Sequence, residues 1–313
     1  MGPMKIITTA AALVTVLASL IVATLMLGSP LGPPATHALA TVVILAGIIG
    51  ILCFVVSELT GNHSQVDKIW SLAPIAYAWI VAWYGGFSLR LIVMSTLVTI
   101  WGCRLTFNFW LKGGYSWRIW RGTEDYRWNV LRQNPALEAR WKWTLFNLLF
   151  ISGFQSALIL LMTLPVVLAL QFNNEPFNRL DWFATVMILF LIVYESLADW
   201  QQWRYQAKKN QRLLEGEVIP NEFDPGFLNQ GLWALSRHPN YFAEQGIWVV
   251  FYLFSVAASG LWLNWSIAGW LLLIALFRGS SNFSEEISVS KYPAYKLYQE
   301  TIPRFMPIGK KLL

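Results

Sequence analysis

The long apolar runs of this chain constrain its fold more than any other feature. A membrane-spanning helix needs about 20 consecutive, mostly apolar residues, and the sequence contains several such runs. Apolar residues make up 56% of the 313 positions and charged residues 13%, whereas an average soluble domain is about a quarter charged. The sequence therefore predicts an all-α integral membrane protein.

The apolar runs predict a bundle of about eight transmembrane helices. The predicted spans are Ile6–Leu27, Ala38–Leu59, Ile69–Tyr84, Leu89–Leu111, Trp143–Leu170, Trp182–Trp203, Ala243–Ala258 and Leu261–Phe277. The first resembles a signal peptide, but its apolar stretch is longer than a typical signal sequence, so we interpret it as an uncleaved span.

No stretch between these spans is long enough to build a soluble core, so residues 1–313 are predicted to form one membrane domain. Within it, we assign residues 1–30 to an extra N-terminal span and 31–142 to helices on the substrate side. Residues 143–313 are assigned to cofactor-binding helices and the C-terminal tail.

The distribution of Lys and Arg predicts the orientation. Segments 112–142 and 204–237 hold seven and five of these residues, and the tail ends in Lys310-Lys311. The connections near 28–37, 85–88 and 171–181 carry almost no positive charge. Since cytoplasmic loops are enriched in Lys and Arg, both basic loops and both termini are predicted to be cytoplasmic, which requires an even number of spans.

Metal and nucleic-acid binding are not expected. Cys53 and Cys103 lie inside apolar runs, and no residue near either has the spacing of a metal ligand. His37 and His63 are isolated in sequence from each other and from His238, so we expect both to be solvated loop residues. The basic residues are not gathered in one soluble module, which argues against a nucleic-acid partner.

Polar residues at helical spacing continue three of the late apolar runs. The first stripe is Glu195, Asp199, Gln202, Gln206 and Lys209; the second is Arg237, Asn240 or Tyr241, Glu244 and Trp248; the third is Arg278, Asn282, Glu285 and Glu286. Polar groups at a membrane segment are costly to desolvate, so such stripes favour a cavity or a binding site. The alternative is a set of side chains satisfied by neighbouring helices or reaching the interface.

The chemistry of these stripes matches a nucleotide. Asn and Glu suit ribose hydroxyls and an amide ring, while Arg237, Lys209, Arg278 and Lys291 suit phosphates. The chain contains neither GxGxxG nor GxxxxGK[ST], so no Rossmann domain or P-loop supplies the site. We therefore predict a cytoplasm-facing cofactor cavity formed by the C-terminal helices.

Three upstream residues are candidates for a separate role. Asp67 and Trp70 lie at the predicted mouth of the third span, and Arg104 lies inside the fourth. Each has a structural alternative, such as a pair between Arg104 and either Glu58 or Asp67. Three aromatic residues are expected to wall a flat apolar substrate, namely Trp70, Trp101 and Trp248, while three loop residues are expected to be solvated, namely Glu124, Asp125 and Arg127.

Several motifs resemble the steroid 5α-reductase superfamily. They are Arg237-His238-Pro239-Asn240-Tyr241-Phe242-Ala243-Glu244, Tyr194-Glu195-Ser196-Leu197-Ala198-Asp199-Trp200-Gln201 and the tail from Tyr292-Pro293-Ala294-Tyr295 to Ile302-Pro303-Arg304-Phe305-Met306-Pro307. Together with Val66-Asp67-Lys68-Ile69-Trp70 and Asp125-Tyr126-Arg127-Trp128, the pattern is most similar to an uncharacterised bacterial branch of the 3-oxo-5α-steroid 4-dehydrogenase family. The resemblance implies a location in the bacterial inner (cell) membrane.

The resemblance also implies an activity. It is NADPH-dependent reduction of an activated carbon–carbon double bond in a lipophilic small molecule, steroid-like or isoprenoid-like. The residues implied or assigned to hold the cofactor are Glu195, Asp199, Arg237, His238, Asn240, Tyr241, Glu244, Asn282, Glu285 and Tyr292. Hydride would pass from the nicotinamide to the β-carbon of an enone, while a proton donor polarises the carbonyl.

The catalytic half of the family pattern differs in this chain. Steroid reductases use a Glu from a Gln-Glu-Leu-Pro run and a Tyr on the next span, whereas this sequence has Trp70-Ser71-Leu72-Ala73-Pro74 and Trp101. We therefore propose Asp67, with Arg104 and Trp70, as the catalytic group in place of the missing residues.

Two other functions share parts of the pattern. Isoprenylcysteine and phospholipid methyltransferases also carry an Arg-His-Pro-x-Tyr run and a Glu-Glu pair such as Glu285-Glu286, and they bind S-adenosylmethionine. The spacing of Asn240 and Glu244, and the Glu195/Asp199 stripe, favour the reductase. The third possibility is a non-catalytic membrane protein that binds lipids.

Overall fold

The computed structural model describes residues 30–116, 118, 122–214 and 225–309, together with the single positions Thr15 and Val22. The predicted first span and the Lys310-Lys311 tail therefore lie outside the described residues, apart from those two positions. The described part is helical and contains no strand, which confirms the all-α prediction for this part of the chain.

The helices follow one another with short connections. In chain order they are α1 Pro33–Thr60, α2 Gln65–Ile69, α3 Ala73–Tyr84, α4 Leu89–Leu111, α5 Tyr126–Arg132, α6 Arg140–Phe146, α7 Gln155–Thr163, α8 Pro165–Gln171, α9 Arg179–Leu214, α10 Pro239–Ser259, α11 Ala268–Lys291 and α12 Tyr295–Thr301. A π-helical stretch, Asn147–Phe154, joins α6 to α7, so Arg140–Gln171 is one long helical segment with a break before Pro165.

Local chemistry explains where α1 begins and ends. Pro33 and Pro34 occupy its first turn, where a missing backbone N–H costs nothing. Gly61 follows its last residue with a φ of 68°, and its N–H donates to the carbonyl of Ser57 at 2.9 Å. Glycine adopts this left-handed conformation without strain, so the helix ends there.

Five helical segments are long and apolar enough to cross a membrane, within the part of the chain that the structure describes. They are Pro33–Thr60, Leu89–Leu111, Arg140–Gln171, Arg179–Arg212 and Pro239–Ser259. The predicted span Ile69–Tyr84 is instead the 12-residue α3, about 18 Å long, which is shorter than a bilayer core of about 30 Å. The predicted span Leu261–Phe277 begins only at Ala268 as a helix and runs on into polar residues.

The tertiary contacts divide the chain into two compact units. The first comprises residues 1–185 and 251–272, and the second comprises 186–250 and 273–313. The first unit packs α1, α3 and α4 around buried residues such as Tyr77, Leu91 and Trp101. The second unit contains most of the polar residues that the sequence singles out for a cofactor.

Connections predicted to share one end of the bundle do meet in the first unit. The N–H of Gly32 donates to Gln171 Oε1 at 2.8 Å, and Asn173 Nδ2 donates to the carbonyl of Gly85 at 3.0 Å. At the same end Arg90 forms a buried bidentate pair with Asp181, with both N–O distances at 2.8 Å. The grouping of these connections is thus confirmed, while their side of the membrane stays a prediction.

Candidate functional site

The polar site of the second unit is built around the carboxylate of Glu285, which is 1% exposed on α11. Arg237 donates to it through Nε at 2.8 Å and Nη2 at 3.2 Å, and His238 Nε2 lies 2.8 Å from Oε1. Gln299 Nε2 donates to Oε2 at 2.8 Å, and Arg304 Nη2 lies 3.3 Å from the same atom. Burial would raise the pKa of Glu285, but the hydrogen bonds from His238 and Arg237 outweigh burial and lower the pKa to about 2.

The guanidinium of Arg237 is enclosed by protein acceptors. Besides the two bonds to Glu285, its Nη1 donates to the carbonyls of Gln299 at 2.7 Å and Ile302 at 2.6 Å. The residue is 5% exposed. This arrangement favours a structural role for Arg237 over the predicted contact with a phosphate.

The segment that contains Arg237 is paired with the C-terminal tail. The N–H of Arg237 donates to the carbonyl of Pro303 at 2.9 Å, and the N–H of His238 donates to that of Arg304 at 3.0 Å. Residues 302–309, which we call the tail segment, therefore lie alongside the beginning of the Arg-His-Pro-Asn-Tyr motif. The motif and the tail, which are far apart in the sequence, therefore form one local structure.

His238 is held neutral by its surroundings. Burial lowers the pKa of His238 below its usual range, against the opposing effect of Glu285. The neutral ring donates through Nε2 to Glu285 and stacks on Tyr241, with ring centroids 5.1 Å apart and an interplanar angle of 14°. Tyr241 in turn packs edge-on against Phe277. The first turn of α10 is thereby fixed against α11.

A second polar group lies where α9 faces α10. Asn240 Nδ2 donates to Asp199 Oδ1 at 3.1 Å, and Trp248 Nε1 donates to Glu244 Oε1 at 3.2 Å. Three buried carboxylate residues line these two helices. Glu195 and Asp199 lie one turn apart on α9 and are 4% and 8% exposed, and Glu244 on α10 is 5% exposed. The structure thus brings the first two predicted stripes together, which places oxygen acceptors beside the Asn240 amide.

The residues of the third predicted stripe, on α11, do not share one environment. Glu285 is buried, whereas its three companions, Arg278, Asn282 and Glu286, are exposed. Arg304 donates to Asn282 Oδ1 and lies 3.4 Å from Ser281 Oγ. Burial lowers the pKa of Arg304, against the charge of Glu285, and the positive charge of Arg278 lowers it further. Arg278 and Arg304 are therefore neighbouring cations at the outer edge of the Glu285 cluster.

Lys209 and Tyr292 form a separate contact between α9 and α11. Lys209 is 6% exposed, and its Nζ donates to the Tyr292 hydroxyl at 2.9 Å. Burial would raise the pKa of Tyr292, but hydrogen bonds from Lys209 and Lys291 outweigh it and lower the pKa. The Lys209 ammonium is thus engaged within the protein, and Tyr292 is held beside two cations.

The predicted catalytic residues belong to the first unit. Asp67, on α2, is half-buried, and Trp128 Nε1 lies 3.4 Å from its Oδ2. Burial raises the pKa of Asp67, against the charge of Arg127. Trp70 and Arg104 are half-buried. Their catalytic roles stay predictions.

Sequence reasoning missed a polar network around His63. Trp143 Nε1 donates to His63 Nε2 at 2.9 Å, and Arg132 Nη2 lies 2.5 Å from Nδ1. Glu124 accepts from the backbone N–H of His63 at 2.7 Å and pairs with Arg132 at 2.7 Å, and Glu58 lies 3.6 Å from Nε2. The expectation that His63 is solvated is therefore wrong, because residues distant in sequence enclose it; His37 is exposed as expected.

The structure shows a shallow cavity elsewhere in the first unit. It has a volume of about 700 Å³ and is lined by Arg140, Trp141, Thr144, Leu145 and Leu148. The cofactor cavity expected in the C-terminal half stays a prediction. No group of three or more His, Cys, Asp or Glu side chains within the described residues is arranged to hold a metal ion.

Over the described residues, the fold and the polar clusters define a helical membrane protein whose C-terminal motifs fold together around a buried carboxylate. The chain belongs to the family described as "protein of unknown function (DUF1295)", which matches residues 53–302. An uncharacterised protein of Schizosaccharomyces pombe is 40% identical over 275 residues, covering 84% of this chain and 78% of that protein. No solved structure matches the chain. Because this relative is fungal, the bacterial location stays a prediction.

Proposed function

We propose that this protein is an NADPH-dependent membrane reductase of an activated carbon–carbon double bond in a lipophilic substrate. The observation that carries the proposal is the contact between Asp199 and Asn240, which joins the two buried stripes of α9 and α10. The resemblance of the same residues to steroid 5α-reductases supports it. NADPH would supply the hydride when bound.

The α9–α10 group suits the uncharged part of the cofactor. Carboxylates accept hydrogen bonds from ribose hydroxyls, and an Asn side chain both donates to and accepts from a carboxamide. Asp199 contacts Asn240, and the buried residues Glu195 and Glu244 lie one helical turn away on the same two helices, so a phosphate would be repelled there. We therefore assign this group to the nicotinamide and its ribose.

The phosphates require cations whose charge the protein has not fully neutralised. Arg237 is enclosed by Glu285 and two carbonyls, so we assign the phosphates to Arg278 and Arg304 instead. Arg278 is exposed and forms no ion pair among the described residues. Arg304 has one carboxylate neighbour, Glu285, which it shares with Arg237. The edge of the cluster therefore carries an excess of positive charge.

Asp67 is the group we propose as proton donor. Its raised pKa favours the protonated acid, which can donate a hydrogen bond to a carbonyl oxygen and then a proton. Trp128 Nε1 donates a hydrogen bond to one oxygen of the carboxyl group, Oδ2. The Ser64 side chain hydrogen-bonds the same carboxyl group, so both partners orient the acid that we assign to the substrate.

A binding panel tests the proposal directly. Purified full-length protein in detergent is heated with NADPH, NADH, S-adenosylmethionine or no ligand, since a ligand that binds only the folded form raises its apparent stability. We expect NADPH to raise the melting temperature and Asn240→Ala to remove that increase. Lys208→Gln, a change at an exposed cation of α9, serves as the control. No shift with either nicotinamide cofactor would refute the reductase.

One observation also favours a second candidate, an S-adenosylmethionine-dependent methyltransferase. The three buried carboxylates of α9 and α10 would attract a sulfonium cation as readily as they accept ribose hydroxyls. The cationic edge at Arg278 and Arg304 favours the dinucleotide, because it suits several phosphate groups. A stability increase with S-adenosylmethionine alone would select the methyltransferase.

A further inference from the structure

We propose that an anionic phospholipid binds in the groove at the beginning of the Arg140–Gln171 segment. The groove has a volume of about 700 Å³, and the residues that line it are Arg140, Trp141, Thr144, Leu145 and Leu148. One end of this surface is cationic and the other is apolar. This inference does not depend on the reductase proposal.

The cationic end carries charge that the protein does not neutralise. Segment 112–142 contains seven Lys and Arg residues but only three acids. Two of the acids are paired internally, since Arg127 lies 2.7 Å from Asp125 and Arg132 lies 2.7 Å from Glu124. The side chains of two cations, Arg140 and Lys142, form no ion pair or hydrogen bond with a described residue. Their charge is available to an external anion.

The carboxylate near the groove, that of Glu58, already accepts hydrogen bonds from protein side chains. Glu58 Oε2 accepts a hydrogen bond from Thr144 Oγ1 at 2.9 Å, and Glu58 Oε1 accepts one from Asn147 Nδ2 at 2.8 Å. The Thr144 hydroxyl therefore points its proton away from any ligand. The polar recognition of a head group falls to Arg140 and Lys142.

The apolar end suits an acyl chain. Trp141, Leu145 and Leu148 follow one another at spacings of four and three, so they share one helix face, and they are 66%, 45% and 43% exposed. From Arg140 to Leu148 the helix rises about 12 Å, enough to pass from the head-group region into the hydrocarbon. The Lys142 ammonium lies 5.7 Å from the Trp141 ring centroid, a pairing typical of the membrane interface.

A lipid accounts for both ends of the groove together. A water-soluble anion would pair with the cations but leave two leucines exposed. A zwitterionic lipid would cover the leucines but leave the two positive charges uncompensated. An anionic phospholipid does both, and a basic residue near an anionic surface contributes about 1 kcal/mol to binding.

Lipid titration of the full chain in detergent tests the site. We expect phosphatidylglycerol to bind more tightly than phosphatidylcholine, as counted by native mass spectrometry. Replacing both cations, in Arg140→Gln/Lys142→Gln, is expected to weaken phosphatidylglycerol binding about fivefold for each charge removed and to leave phosphatidylcholine unchanged. Lys296→Gln, an exposed cation of the second unit, is the matched control.

Equal binding of the two lipids by the unmodified protein would overturn the proposal, and so would undiminished phosphatidylglycerol binding by the double variant. Glycerol 3-phosphate, which has no acyl chain, is expected to bind far more weakly than the lipid; equal affinity would mean that the groove holds a soluble anion. If the double variant does not fold, the single change Arg140→Gln tests the same proposal. It is expected to weaken phosphatidylglycerol binding about fivefold, and undiminished binding would overturn the proposal.

Discussion

Arg237 and Glu285, 48 residues apart in sequence, form a buried two-point ion pair, with Nε–Oε1 at 2.8 Å and Nη2–Oε2 at 3.2 Å. This pair joins the beginning of α10 to the end of α11. Both residues belong to motifs that the sequence alone associates with a ligand. In the folded chain their charges neutralise each other, so the pair positions the site.

Breaking this pair is expected to destabilise the protein. Arg237→Gln leaves the Glu285 carboxylate buried without its main partner, and such a loss typically costs about 3–5 kcal/mol. Arg237→Lys is expected to be nearly as harmful, because an ammonium cannot reproduce the two-point geometry. The measurement is the melting temperature in detergent, with Lys296→Gln as the control. A melting temperature unchanged in both Arg237 variants would contradict the structural role.

The stability of the protein is expected to fall between neutral and mildly acidic pH because of His238. Burial lowers its pKa in the folded state, so the unfolded chain binds more protons as the pH falls through about 6.5, the ordinary value. Stability from the neutral ring is therefore present above that pH and is lost below it. Glu285, with a pKa of about 2, contributes in the same direction but only at lower pH, losing its stabilisation from about pH 4 downward.

His238→Gln separates this effect from other titrations. A glutamine amide keeps a donor for Glu285 but does not titrate. We expect its melting temperature to change less between pH 7.5 and roughly pH 5.5 than that of the unmodified protein. The same change in both proteins would show that His238 is not the titrating group.

Asp67→Asn is expected to abolish turnover and leave NADPH binding intact. An amide cannot supply a proton, and loss of a general acid typically lowers the rate by about 10²–10⁴-fold. Any turnover by the unmodified protein should fall as the pH rises through the pKa of Asp67, which burial places above its ordinary range. Glu138→Gln, at an exposed acid of the same unit, is the control. Unchanged turnover would remove Asp67 from the mechanism.

Arg278→Gln is expected to weaken NADPH binding roughly tenfold, the loss of about one charge-assisted hydrogen bond. Asn240→Ala should weaken NADPH and NADH equally, because it acts on the part that the two cofactors share. If Arg278 contacts the 2′-phosphate, its substitution lowers the affinity for NADPH and leaves that for NADH unchanged. Dissociation constants from titration calorimetry distinguish these outcomes, and equal losses for both cofactors would assign Arg278 to the diphosphate.

Part of the candidate site could be predicted from sequence because it depends on one helix at a time. Glu195 and Asp199 lie one turn apart on α9, and Asn240 and Glu244 lie one turn apart on α10, so their shared faces follow from helical spacing. The sequence predicts that these faces line one cavity, and the tertiary structure adds the particular contact between Asp199 and Asn240. The division of the third stripe was not accessible, since one turn of α11 holds both buried Glu285 and exposed Asn282.

The sequence by itself determined the helical, membrane-spanning character of the described chain and the grouping of the connections that are poor in Lys and Arg, because hydropathy and helix ends are local properties. Only the tertiary structure decided which charged residues remain available to a ligand. Arg237, Lys209 and His63 have ordinary sequence neighbours, yet Glu285, Tyr292 and Trp143 reach them from distant segments. The free energy of a buried charge depends on the partners that surround it in space, and spacing along one helix does not encode those partners.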